Sequence, residues 1–170
     1  MAWTKRLMPW MVGVHLGLLQ TGYLIGLQRT ISAAHSTYAL VVGAWLVVTL
    51  VGLWLRTRPS QLLLAGLATY LAAQLVLLPL HFTAKSGLWW APAIAVSGLY
   101  SGRYFTAALA TGAPVGLVFS RETTGFALGA LVAFVLAVAW GRLALTLVPL
   151  VSYLGVVALS RHAPIRRCER

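Results

Sequence analysis

The chain has 170 residues, of which 60% are hydrophobic and 9% charged, with a mean hydropathy of +0.87 and a formal charge of +11. Soluble domains run at about 25% charged residues, whereas this chain contains no Asp and no Asn, and its acids are Glu122 and Glu169. That inventory cannot cover a water-facing surface, which excludes a soluble globular domain and points to an integral membrane protein.

Five apolar stretches are legible in chain order: Met8–Leu27, Tyr38–Leu55, Gln61–Leu80, Gly125–Trp140 and Leu143–Ser160. A spanning helix needs about 20 residues, so each suits one crossing. Between the third and fourth lies a long apolar run, Leu88 to Ser120, interrupted by Pro92, Arg103 and Pro114. It predicts one helix near Leu88–Ala110, a break at Thr111–Pro114, and a short re-entrant or interfacial piece before a new helix opens at Arg121. The expected fold is therefore an all-α bundle of six membrane spans, with seven as the alternative. One domain covers residues 1–160, followed by a basic tail at 161–170.

Charge bias orients the bundle. With the N-terminus inside, Lys5, Arg6, Arg56, Arg58, Arg103, Arg121, Arg161, Arg166, Arg167 and Arg170 fall on the cytoplasmic side, against Arg29, Lys85 and Arg142 outside. Both termini are then cytoplasmic. Trp89 and Trp90 mark an outer aromatic belt, and Trp3, Trp10 and Trp54 an inner one. Lys5-Arg6 before an apolar run fits the start of a signal peptide, but an apolar run of 20 residues exceeds the usual core of about 7–15. The expectation is a retained first span. The cationic excess alternates with apolar runs rather than forming one stripe, so its natural counter-ions are anionic headgroups and not nucleic acid. The expected location is the cell membrane, in a bacterium the inner membrane, as a multi-pass protein.

Glycines four residues apart recur at Gly13/Gly17, Gly22/Gly26, Gly98/Gly102, Gly112/Gly116 and Gly125/Gly129. Such spacing lets helix backbones approach closely. It predicts either internal packing or a face, at Gly22/Gly26 or Gly125/Gly129, that docks another subunit.

No nucleophile elbow, H-E-x-x-H pair or phosphate-cradling loop is present, and the lone Cys168 cannot form an internal disulfide or a thiolate cage. The chain is read as non-enzymatic, without metal or cofactor. The one haem arrangement that the sequence offers is His35 with His81, both at the outer ends of their spans. His15 lies inside the first span, where an ionisable group is a functional candidate by default. Arg103, Arg121 and Glu122 form the second candidate set. One reading pairs Arg103 with Glu122 as a gate or substrate contact. The other makes Ser120 and Glu122 a helix cap, with both arginines snorkelling to the inner interface.

Several short patterns are similar to a known family. Leu18–Arg29 (LLQTGYLIGLQR), His35-Ser36-Thr37-Tyr38-Ala39, Leu50-Val51-Gly52-Leu53 and Glu122-Thr123-Thr124-Gly125 with Gly129 together resemble the membrane-embedded region of transmembrane spermidine-synthase-like proteins. Glu122 stands where that family usually has Asn, and His35 where it has Gly. The family continues into a soluble aminopropyltransferase-like domain that relies on Asp residues, and this chain has none. The resemblance thus implies a six-to-seven-helix bundle without polyamine synthesis. Two functions are expected from the sequence: a non-catalytic subunit that anchors or scaffolds partner proteins or self-associates, or a small half-transporter-like bundle for a small, anionic solute.

Overall fold

The computed structural model describes the backbone of residues 2–31, 34–76 and 86–162, with side chains over 7–28, 38–75 and 90–161. Within these residues six helices form: α1 (Ala2–Ile31), α2 (Ala34–Trp54), α3 (Pro59–Val76), α4 (Ser86–Leu109), α5 (Val115–Trp140) and α6 (Arg142–His162). No strand occurs among the described residues. The protein is all-helical, and α1, α5 and α6 contain segments of 22, 26 and 20 residues long and apolar enough to cross a membrane. In α2 the apolar stretch is shorter, Tyr38–Trp54.

The run from Leu88 to Ser120 resolves into one helix and the start of the next. α4 closes at Gly112, whose φ of +80° suits glycine, and the Gly112 N–H donates to the Leu109 carbonyl at 2.9 Å. This is the ordinary glycine stop of a helix. Pro114 then serves as N-cap with extended ψ of 132°, and its carbonyl accepts from Leu117 and Val118. The expected re-entrant piece and the helix start at Arg121 are therefore both corrected. Val115–Ser120 is the first turn and a half of α5, and Ser120 lies inside the helix, where its carbonyl accepts from Thr124 Oγ1. The proline fixes the boundary six residues earlier than the capping-type residues suggested.

α1 is the central helix. It packs chiefly on α5, then on α6 and α4, and its candidate span is mostly buried while those of α5 and α6 mostly face outward. Four glycines produce the α1–α5 seam. A Cβ at Gly13 would land on the Glu122 carbonyl, at Gly17 on that of Phe126, at Gly125 on that of Trp10, and at Gly129 on that of Val14. Each helix thus presses its glycines onto the other's backbone, and the matched numbering makes the two helices parallel. A second parallel seam joins α2 and α4, where Gly102 meets the Thr49 carbonyl, a Cβ at Gly98 would lie 3.1 Å from that of Trp45, and one at Gly52 2.5 Å from that of Leu99.

The two seams correspond residue by residue. Gly17 faces Phe126 and Ala130 as Gly102 faces Thr49 and Leu53, a shift of 85 for the glycines (17 to 102) and 77 for their partners (49 to 126, 53 to 130). The same shifts turn Gly129 on Val14 into Gly52 on Leu99. Exchanging α1-α2-α3 with α4-α5-α6 also maps the α1–α6 contact onto α4–α3. Since Tyr23 meets Ala93 and Ser97 while Gly26 meets Trp90, α1 and α4 run antiparallel. The bundle is two three-helix units arranged as an inverted repeat.

The remaining glycine pairs divide. Gly22 and Gly26 are notches filled from within, by the rings of Tyr70 and Trp90. Of the two expectations for these pairs, Gly22/Gly26 and Gly125/Gly129 follow internal packing, because both faces are occupied by this chain's own helices. Gly112 and Gly116 have open space where a Cβ would stand. Overpacking against backbone cannot be relieved by a rotamer change, so Gly17→Leu is expected to destabilise the bundle by about 3 kcal/mol. Gly43, with nothing within 4 Å, should tolerate Ala and gain about 0.5 kcal/mol. Thermal unfolding of the two variants in the same detergent checks both, and equal melting temperatures would contradict the seam.

Candidate functional site

Polar groups line the inside of this bundle while its outside is apolar. Leu46, Leu50 and Val51 on α2, Phe134 and Val138 on α5, and Val151 and Leu154 on α6 are all more than half exposed. By contrast His15, Gln20, Gln74, Ser97, Ser101 and Ser152 are buried. An aqueous surface of that kind is a liability, whereas hydrocarbon matches it.

Most of the interior polar contacts lie where helices of different repeats meet, and that of Ser101 with Glu122 lies within the second. The Tyr23 hydroxyl from α1 reaches the Ala93 carbonyl at 3.1 Å and Ser97 Oγ at 2.6 Å on α4. A phenol has one hydrogen, so with that hydrogen directed to Ala93, Ser97 donates to the phenol oxygen. Around this pair Tyr70 and Trp90 stand edge-on to the Tyr23 ring, with centroids 5.3 and 5.7 Å away, and Trp45 closes the cluster at 6.1 Å. Such tilted contacts suit the ring quadrupoles.

Tyr70 ties the second crossing. Pro149 inside α6 has no N–H, which leaves the carbonyl of Leu145, four residues earlier, without its helical donor. The Tyr70 hydroxyl from α3 supplies one at 2.7 Å, and Gln74 Nε2 donates to that same hydroxyl at 3.0 Å. Arg142, at the start of α6, donates to the Gln74 carbonyl in the last turn of α3, where a cation also suits the helix dipole.

His15 sits on α1 against α6, with Nδ1 2.8 Å from Ser152 Oγ. Ser152 donates its one hydrogen to the Pro149 carbonyl at 2.9 Å. It therefore accepts from His15, which places the ring proton on Nδ1. Glu122 of α5 accepts from Ser101 of α4 at 3.4 Å. Arg121 precedes it on α5, half-buried.

Arg103 turns elsewhere. Its Nε donates to the Thr57 carbonyl in the α2–α3 turn at 2.8 Å, and Nη1 to Thr106 Oγ1 at 3.0 Å. The anticipated pairing of Arg103 with Glu122 is replaced by these contacts, and the anticipated Ser120 cap by the Pro114 start of α5. The side chains of His35 and His81 lie outside the described residues. Among the described residues no three of His, Cys, Asp and Glu converge, and Trp90 Nε1 and Thr49 Oγ1 are buried without a partner. A cleft between α1, α5 and α6, lined by Leu18, Ala133, Leu136, Leu145 and Pro149, is apolar and has no room for a water molecule.

Sequence reasoning singled out His15 but missed Tyr23, Tyr70 and Ser97. Tyrosines within apolar spans are a usable signal, since a buried hydroxyl in a helix bundle needs a partner on another helix. Comparison with protein-family models, with curated proteins and with solved structures finds no match for this chain.

Removing one partner of a buried pair strands the other, at about 1–3 kcal/mol. Tyr23→Phe and Ser97→Ala should each destabilise by that amount, and the double variant by clearly less than their sum. A double-mutant cycle from unfolding in mixed micelles measures the coupling, and strict additivity would show that the contact contributes nothing.

Proposed function

We propose that this chain crosses the cell membrane six times, with both termini on the cytoplasmic side, and acts as one half of a transporter for a small anionic solute. The observation that carries the reading is the inverted repeat, with polar side chains gathered between the repeats. Inverted three-helix repeats nested within six-helix halves recur in secondary transporters, where solute passes at repeat interfaces. The connectivity is consistent with six crossings, because consecutive helices alternate in direction: α1 and α5 are parallel, α2 and α4 are parallel, and α1 opposes α4. On this reading Arg56, Arg58, Arg103, Arg121 and Arg161 share the inner end, and an anion is the solute that such charges attract. The membrane region of spermidine-synthase-like proteins remains the family that the sequence resembles, and a bacterial inner membrane its expected setting.

A second reading has its own support. The glycine seams press backbone on backbone, and the interior hydroxyls are engaged with one another. A bundle so closed is suited to anchoring or scaffolding partner subunits without transport.

One preparation separates the two. The tagged protein is extracted in mild detergent, its mass is measured, and it is reconstituted into liposomes for uptake of labelled phosphate, acetate and succinate. The transport reading expects a pair of six-helix units and saturable uptake of at least one anion. A stoichiometric assembly with unlike subunits and no uptake would overturn it in favour of the scaffold. Glu122→Gln sharpens the contrast, since a scaffold should assemble unchanged, whereas a transporter using that carboxylate should lose most of its uptake.

A further inference from the structure

The inner-end turn between α2 and α3 is held by a side chain from a third helix, and the functional reading above uses its arginines only as part of a general attraction for anions. Arg103 of α4 donates there from Nε to the Thr57 carbonyl at 2.8 Å, while its Nη1 donates to Thr106 Oγ1 on α4 itself at 3.0 Å. Thr106 in turn donates to the Arg103 carbonyl at 3.0 Å, which orients the hydroxyl that accepts from the guanidinium. The clamped residue lies between two arginines, Arg56 and Arg58, both exposed, while Trp54 at the end of α2 is 87% exposed. The chain offers these cations little counter-charge, because of its two acids Glu122 accepts from Ser101 and Glu169 lies in the basic tail.

We propose that the Arg56-Thr57-Arg58 turn, braced by Arg103, is a binding site for the headgroup phosphate of an anionic phospholipid. The inference rests on the reading of the bundle as membrane-spanning, with this end at the cytoplasmic face. Two arginines flanking a fixed carbonyl can address one phosphate from both sides, and guanidinium suits phosphate oxygens through paired N–H donors. Trp54 beside them sits where indoles settle, at headgroup level. Arg103 is a positioning residue here, since its Nε holds the turn through the Thr57 carbonyl.

The test uses the full chain in nanodiscs of mixed phosphatidylglycerol and phosphatidylcholine, released into a native mass spectrometer to count retained lipids. Wild type is expected to retain phosphatidylglycerol selectively. An arginine near an anionic surface contributes about fivefold in binding, so Arg56→Gln with Arg58→Gln should weaken retention about thirtyfold. Arg103→Lys keeps the charge but not the planar two-point brace. It is expected to weaken retention about threefold to fivefold, on the scale of one lost arginine contact, with helicity by circular dichroism unchanged. Arg142→Gln, at the opposite end, should change nothing. Equal retention by wild type and the double variant overturns the site, and Arg103→Lys indistinguishable from wild type overturns the brace. Added inorganic phosphate that displaces the lipid at millimolar concentration would make the site one for free phosphate and overturn the lipid assignment. Failure of the membrane reading would look different, because such a protein would carry neither lipid class out of the disc.

Discussion

The structure depends on how closely α1 and α5 approach. Apolar side chains gain nothing by leaving lipid for one another, so helix association in hydrocarbon has to come from packing and from polar contacts between helices. Gly13 and Gly17 on one helix and Gly125 and Gly129 on the other bring two backbones together, each glycine lying over a carbonyl of its neighbour. At that separation Cα–H groups face carbonyl oxygens and dispersion acts along the whole seam. The consequence for the bundle is positional. With α5 held parallel to α1, its return helix α6 is brought to the flank of α1, where Ser152 meets His15.

Polar satisfaction then decides how the two repeats join. Each crossing carries a hydroxyl that answers a need on the other side. Tyr23 and Ser97 engage each other between α1 and α4. Between α3 and α6, Tyr70 donates to a carbonyl that Pro149 has deprived of its helical partner. The second case explains why a proline is tolerated in the middle of an apolar helix. In hydrocarbon an unsatisfied carbonyl costs several kcal/mol, and a tyrosine from a neighbouring helix removes that cost while fixing the register of α3 against α6. Arg142 on the Gln74 carbonyl acts one turn away in the reverse sense, from α6 to α3.

Much of the helical organisation was legible because composition and hydropathy mark apolar runs directly. α2, α4 and α6 fall within a few residues of their expected bounds. The start of α5 was misplaced because Ser120, Glu122 and Thr123 look like an N-terminal capping sequence, while the residue that actually stops backbone continuity is Pro114. Glycine spacing identified the right residues but not their partners. Four of the five pairs pack inside the chain, yet Gly22/Gly26 accepts rings and Gly13/Gly17 accepts a backbone, a difference set by residues more than forty positions away. For the same reason His15 could be flagged as a buried ionisable group while Ser152, 137 residues distant, could not be assigned to it.

The inverted repeat was not visible in the sequence, and there is a physical reason for that. Residues matched across an inverted repeat lie at opposite ends of the bundle, so any rule that distinguishes the two faces of a membrane acts against their similarity. Near the middle the environments are alike, and there the match persists: Gly13 and Gly17 correspond to Gly98 and Gly102, and Gly129 to Gly52. Toward the ends it fails. The shift that carries Gly52 to Gly129 carries Arg56 and Arg58 to Ala133 and Val135, which continue α5 instead of turning. The shift that carries Gly102 to Gly17 carries Arg103 to the buried Leu18. The arginines of the α2–α3 turn thus have no counterpart at the matched positions of the second unit. What the two units retain in common is the glycine register that closes each seam, because close packing is the one demand that does not depend on which way up a helix runs.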